Sequence, residues 1–263
     1  MHKFNKKIME ASDNKNLVKN SLKDIRSNYI LGKIFYHLKE IKMLKILRFT
    51  KNLQKRLNIG LNIYKKIYED IEIEIIPICF SEKNEFIHIP DEYQSYYQIY
   101  FNDNKEEIKR KYFSKNDKPS KIKVIINKEI KSFEGLFYWC DCIEKISFIR
   151  FYRKDINNMK EMFCGCTNLK EIKFYKFCTD NVSDMSYMFF KCTSLTKLNI
   201  KNFNVNKVTN MEYMFGQCSS LKEINLDNFD TTNVIYKDGI FDGFSNELKI
   251  KIAKRYKNIF INI

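Results

Sequence analysis

Glycine, proline and histidine are scarce in this chain. Seven glycines and three prolines among 263 residues leave few places for a glycine-rich phosphate cradle. Neither a phosphate loop, Gly-x-Ser-x-Gly nor His-Glu-x-x-His occurs. The histidines are His2, His37 and His88; all three precede residue 133, so the commonest general base is missing from the second half of the chain. No apolar run approaches the roughly 18 residues of a membrane span. The opening Met1-His-Lys-Phe-Asn-Lys-Lys-Ile-Met-Glu10 lacks the apolar stretch of a secretory signal. The expectation is therefore no catalytic residue, no cofactor, no metal and no transmembrane segment, in a chain whose 44% hydrophobic content suffices for a packed core.

What the chain has is repetition. Met185-Ser-Tyr-Met-Phe-Phe-Lys-Cys192-Thr-Ser-Leu-Thr-Lys-Leu-Asn-Ile200 returns 26 residues later as Met211-Glu-Tyr-Met-Phe-Gly-Gln-Cys218-Ser-Ser-Leu-Lys-Glu-Ile-Asn-Leu226. Upstream the same register gives Met159-Lys-Glu-Met-Phe-Cys-Gly-Cys166 and Phe133-Glu-Gly-Leu-Phe-Tyr-Trp-Cys140. Downstream, Lys237-Asp-Gly-Ile-Phe-Asp-Gly-Phe244 keeps the register without Met or Cys, a degenerate fifth unit. Such a period points to a repeat architecture.

Each unit shows two hydrophobic periods. Met211, Met214, Phe215 and Cys218 stand at i, i+3, i+4 and i+7, the stripe of about two helical turns. Leu221, Ile224, Leu226 and Phe229 then give Leu-x-x-Leu-x-Leu, a short strand with alternate side chains inward. Ser132, Asn158, Asp184 and Asn210 precede the stripe in successive units and can accept a bond from a free N–H at a helix start, whereas Tyr236 is a poor cap. Val182, Val208 and Val234 plug the polar connection inward.

The pattern Asn-Val-x-x-Met-x-x-Met-Phe-x-x-Cys-x-x-Leu-x-x-Leu-x-Leu resembles the BspA-type leucine-rich repeat family, in its Mycoplasma and protist form. The resemblance implies an α/β fold, a parallel right-handed leucine-rich-repeat solenoid of short strands and short helices that presents one face to a partner. Members act by binding and share no catalytic residues. Surface members begin with a secretory signal; its lack here makes a cytoplasmic location the expectation.

Four of the eight cysteines, Cys140, Cys166, Cys192 and Cys218, hold one repeat position. Stacked at about 5 Å by parallel-strand spacing, they lie within disulfide reach, but reduced, buried thiols are expected for a cytosolic chain. Cys140-x-Cys142 and Cys164-x-Cys166 do not have the spacing of a zinc site, and no histidine lies in the array.

The outward strand positions form three rows: Lys145, Glu171, Lys197, Glu223 and Lys249; Ser147, Lys173, Asn199, Asn225 and Lys251; Ile149, Tyr175, Lys201, Asp227 and Ala253. In the first row the sign alternates from unit to unit and neutralises itself. The candidate partner-binding residues are those that break the repetition: Ser147, Lys173, Tyr175, Asn199, Lys201, Asn225 and Asp227.

Ahead of the array the chain divides into a polar tail at 1–24, a helical segment at 25–58 and a mixed α+β capping segment at 59–121, with the solenoid at 122–263. Lys and Arg outnumber Asp and Glu 17 to 4 over residues 1–66, against 11 to 13 over 67–132 and 19 to 15 over 133–263. Tyr29-Ile-Leu-Gly-Lys-Ile-Phe-Tyr-His-Leu38 resembles the Ile-Leu-x-x-Ile-Phe-x-x-Leu element of an F-box, although Asn28-Tyr29 stands where that motif opens with Leu-Pro. That resemblance implies docking to a ubiquitin-ligase adaptor through Ile30, Leu31, Ile34, Phe35 and Leu38. Within the capping segment, Ile71–Phe80, Phe86–Ile89 and Tyr96–Phe101 read as strands, the first limited by Pro77. Asp103–Phe113 reads as helical, and Ile122–Ile126 as a half-unit that starts the array.

The functional expectation is a non-enzymatic protein-protein interaction module. The alternatives are an F-box-like substrate adaptor and, ranked last, nucleic-acid or acidic-membrane binding by the basic N-terminus, whose aromatic residues form no stacking platform.

Overall fold

In the computed structural model, residues 51–56, 69–78, 81–175, 177–227 and 229–256 are described. The chain separates into two compact units, 1–67 and 68–263. In the first, Lys51–Arg56 is an α-helix, α1. The tail at 1–24 and the F-box-like positions Ile30, Leu31, Ile34, Phe35 and Leu38 lie outside the described residues.

The second unit is mixed α/β, mostly strand with few helices. In chain order it holds β1 (Ile71–Pro77), a 3-10 helix (Asp91–Tyr96), β2 (Tyr97–Phe101), β3 (Ile122–Ile126), β4 (Ile143–Arg150), β5 (Glu171–Phe174), β6 (Lys197–Asn199), β7 (Glu223–Asn225) and α2 (Asn246–Arg255). One sheet has the order β2-β3-β1-β4-β5 and a second pairs β6 with β7.

Strict alternation explains β1. Ile71, Ile73 and Ile75 are fully buried while Glu72 and Glu74 point outward. Pro77, with no N–H to give, ends the strand at a register irregularity opposite Ile143. β1 lies between β3 and β4 and runs antiparallel to both. This corrects the reading of Ile122–Ile126 as a half-unit: β3 pairs with β1 and β2, and the unit beginning at Phe133 sends its strand β4 against β1. Period-2 alternation suits either neighbour equally, so the sequence pattern could not tell them apart.

Two other capping-segment expectations fail. Phe86–Ile89 is no strand, and Asp103–Phe113 is no helix. The Ile108 N–H donates to the Ile99 carbonyl at 2.7 Å, so the charged run lies along the free edge of β2. Phe86, Phe101 and Phe113 cluster at 5.0 to 6.2 Å between ring centroids, so aromatic packing holds this part of the segment.

The largest correction concerns the Met-Met-Phe-Cys stripe. It forms overlapping turns, not an α-helix. In one unit Met214, Gly216 and Cys218 donate their N–H groups to the carbonyls three residues back, Met211, Tyr213 and Phe215, at 2.9 to 3.2 Å. The intervening N–H groups of Met211, Tyr213, Phe215 and Gln217 point along the array instead. They reach the carbonyls of Tyr236, Asp238, Ile240 and Asp242 in the next unit at 2.8 to 3.1 Å. The same alternation joins each earlier unit to its successor.

Left-handed backbone makes this division possible. Two positions per unit have positive φ: Gly135 and Trp139, Glu161 and Gly165, Tyr187 and Lys191, Tyr213 and Gln217, Gly239 and Gly243. All but Gly239 stand third in a turn whose fourth residue donates back to the first, the type II arrangement. A helix would spend every N–H internally and leave none for a neighbour. Turns of this size still bring i, i+3, i+4 and i+7 to one side, which is why helix and turn look alike in the hydrophobic pattern.

The residues expected to cap helices cap these turns. Side-chain oxygens of Ser132, Asn158, Asp184 and Asn210 accept the N–H two residues on, at 2.8 to 3.2 Å. Their backbones, with Tyr236, bridge in parallel from unit to unit.

Inside, the units stack residue on residue. Phe137, Phe163, Phe189, Phe215 and Phe241 form a column with successive centroids 5.6, 5.3, 5.7 and 5.8 Å apart and ring planes within 17°. The methionines of the stripe and the plug residues Val182, Val208 and Val234 are buried beside it.

The fifth unit departs in its strand. Leu248-Lys-Ile-Lys-Ile252 alternates like β, and Lys249, Lys251 and Ala253 were expected on strand rows, but the segment is helical. Ser245 caps it by accepting the Leu248 N–H at 3.2 Å, Glu247 sits in the first turn and Lys254 and Arg255 in the last. Leu248 and Ile252, one turn apart, are buried, whereas Ile250 is 42% exposed.

Two substitutions test these assignments. Gln217→Gly should stabilise the chain by about 0.5–1 kcal/mol in urea denaturation, because glycine relieves the left-handed strain; a helix there would give a loss of about 1 kcal/mol. Ile252→Lys should cost at least about 2 kcal/mol and Ile250→Lys less than about 0.5 kcal/mol; a strand would make the two equally harmful.

Candidate functional site

Because inward positions are filled by the stacked columns, the side chains that the strands turn outward are the candidates on this face. β4 and β5 pair in parallel with Lys145 opposite Glu171 and Ser147 opposite Lys173. β6 and β7 pair with Lys197 opposite Glu223 and Asn199 opposite Asn225. Within each of the two sheets the first two expected rows are thus in register, whereas Tyr175, Lys201 and Asp227 of the third row lie just past the ends of their strands. Lys249, Lys251 and Ala253 leave the rows for α2.

Beside β5, β6 and β7 lies an open groove of about 570 Å³. Ile172, Leu198, Ile224, Leu248 and Ile252 give it an apolar floor, and Asn199 and Asn225 line it in register. Its other wall is α2, through Lys251, Arg255 and Tyr256. Sequence reasoning missed that wall because the segment was read as a strand; Ser245 with Glu247 in the following turn was the available signal.

The electrostatics of this face are largely closed on themselves. Lys197 pairs with Glu223 at 3.0 Å, Lys173 with Glu171 at 3.0 Å and Arg255 with Asp227 at 3.2 Å. Such exposed pairs each contribute about 0–1 kcal/mol and can be exchanged for partner contacts at small cost. The Asn199 and Asn225 side-chain carbonyls accept the N–H groups of Lys201 and Asp227 at 3.3 and 3.0 Å, ending their strands. That fixes their orientation and leaves each amide NH₂ as the group available to a ligand. The Tyr256 hydroxyl accepts the Leu226 N–H at 3.1 Å, tying the end of α2 to the strand layer.

The seven candidate residues do not converge. Asn199 and Asn225 share the groove. Lys201 and Asp227 follow their strands, with Asp227 tied to Arg255. Lys173 and Tyr175 stand at β5 and just beyond it, Tyr175 being 58% exposed. Ser147 lies on β4 opposite Glu74 of β1.

The repeat cysteines are buried and free. Sγ–H groups of Cys166, Cys192 and Cys218 donate to the carbonyls of Phe137, Phe163 and Phe189 at 3.0 to 3.2 Å. Those carbonyls also accept the turn N–H of Cys140, Cys166 and Cys192. Burial, ahead of any charge effect, pushes the thiols of Cys140, Cys166 and Cys192 far above the ordinary range and that of Cys164 to about 11. Among the described residues, no three His, Cys, Asp or Glu side chains form a metal-holding group. Nor is any described helix long and apolar enough to cross a membrane.

Fold and face together define a mixed α/β protein, built mostly of strands, whose stacked units expose a polar, charge-paired surface. Residues 131–253 match a family model described as "Mycoplasma protein of unknown function, DUF285", so this part of the chain is similar to that family. No curated protein and no solved structure matches the chain.

Thiol state is measurable. Iodoacetamide with peptide mapping should label half-buried Cys178 well before Cys166, Cys192 or Cys218, which should react only on unfolding. Folded thiol pKa values raised above the unfolded value of about 8.5 also mean that the unfolded chain loses thiol protons first. Their contribution to stability is thus complete below about pH 8.5 and declines as pH rises above it. Equal labelling of all cysteines in the native chain would contradict the buried ladder.

Proposed function

We propose that residues 131–253 form a leucine-rich-repeat solenoid and that the chain is a non-enzymatic interaction module, binding a protein partner through the outward face of its strands. The parallel register of equivalent positions 26 residues apart supports the architecture. The groove beside β5, β6 and β7 carries the functional reading. It combines an apolar floor, two amide groups held in register and weak ion pairs that a partner can replace. None of its outward polar side chains is needed to fill the core, so their identities are free to serve recognition.

Affinity capture with the intact chain should retain a partner that is lost when Lys173→Glu, Tyr175→Ala and Asn199→Arg are combined, with the denaturation midpoint unchanged. Reversing one charge and removing one aromatic should weaken binding by about 2–4 kcal/mol. Identical partner sets from the two chains would remove the strand face from consideration.

A further inference from the structure

The overlapping turns expose a face of their own, independent of the strand groove. Between the inward Met, Phe and Cys positions each unit has four intervening residues, most of them outward, although Cys164, Ser186 and three of the glycines are buried. Five acids occupy these positions, Glu134, Glu161, Glu212, Asp238 and Asp242, against two lysines, Lys160 and Lys191. In a chain of net charge +15 this surface has the opposite sign. Lys160 lies 3.9 Å from Glu134 and 3.8 Å from Glu161, which partly offsets that pair. Glu212, Asp238 and Asp242 have no cationic partner among the described residues.

Five more of these positions carry aromatics: Tyr138, Trp139, Tyr187, Phe190 and Tyr213. Rings of Trp139, Phe190 and Tyr213 lie over the glycines 26 residues on, Gly165, Gly216 and Gly239, in space that a Cβ would claim. Backing by glycine holds the rings without burying them. Trp139 is still 50% exposed and Tyr138 41%, an unusual use of large apolar side chains unless a contact is made there. The chain itself shows what such rings accept: the Lys191 ammonium sits 5.6 Å from the Trp139 ring centre and 5.5 Å from that of Phe190.

Sugars also stack on exposed aromatics, but Tyr187 and Tyr213 are already stacked on each other at 5.3 Å, and Tyr213 rests on Gly239. Unpaired carboxylates on the same face favour a cation instead. The face spans five units, roughly 20 Å at parallel-strand spacing, about the reach of six extended residues.

From this geometry we infer that the turn face docks an extended, arginine- or lysine-rich segment of a partner protein. Its chain packs against the exposed parts of Tyr138 and Trp139 at one end, and its basic side chains meet Glu212, Asp238 and Asp242 at the other.

The single tryptophan of the chain is Trp139, so its emission reports on this face alone. Titrating the full chain with a short peptide of alternating arginine and glycine should give a saturable change in that emission, weakened by added salt. Glu212→Gln, Asp238→Asn and Asp242→Asn together should weaken the response about tenfold. The strand-face triple variant should leave it unchanged, which separates this inference from the preceding one. Calorimetry of the unaltered chain over a salt series gives the same comparison without any substitution. The inference is overturned if Trp139 emission does not saturate, if a glutamate-glycine peptide acts equally well, or if a neutral glucan oligomer saturates the signal instead.

Discussion

Every second backbone N–H of the turn segment leaves its own unit, and the architecture of residues 133–244 follows from that division. A buried N–H must find an acceptor. Donors that alternate between the unit and its neighbour fix both the fold of each unit and the spacing between units. Six non-glycine residues, Trp139, Glu161, Tyr187, Lys191, Tyr213 and Gln217, take left-handed backbone to satisfy this requirement. Such strain costs roughly 1–2 kcal/mol per residue. It persists because each strained position also supplies one of the N–H groups that reach the next unit.

The columns follow from that spacing. Once units are held in register by hydrogen bonds, identical side chains must meet, and only those that pack on copies of themselves can occupy inward positions. Phenylalanine does so by stacking in parallel planes. Cysteine does so through a thiol small enough to sit beneath a neighbour's carbonyl and use its second lone pair. The strong Met, Phe and Cys signature therefore reports on stacking and says little about ligands.

Period and register were legible in the sequence because hydrogen bonding between units leaves no room for insertion. The pairings Lys145 with Glu171 and Asn199 with Asn225 could be written down from the 26-residue offset alone. The turn was not legible, since Met211, Met214, Phe215 and Cys218 meet on one side in either conformation. Tyr187 and Lys191 at left-handed positions give no composition signal, whereas Gly135, Gly165, Gly239 and Gly243 at equivalent positions did offer one. α2 was misread because Leu-Lys-Ile-Lys-Ile satisfies the strand period, and the deciding information, the Ser245 cap, lay outside the periodic stretch. The order of β1 and β3 depends on contacts between distant segments with the same alternation, which local pattern does not encode.

The two exposed faces differ in how their charge is used. On the strand face, Lys197 pairs with Glu223 on the neighbouring strand and Lys173 with Glu171 on its own, so part of the charge is neutralised locally. The turn face has less of that pairing: three of its five acids, Glu212, Asp238 and Asp242, lie in the last two units and have no ion-pair partner among the described residues. A chain with a general excess of lysine would be expected to place some there, and compositional bias toward Lys cannot produce a local excess of carboxylate. Since neither stacking nor capping requires acids at these outward positions, the departure from the chain's own average marks the turn face as a surface whose composition is set by something other than folding.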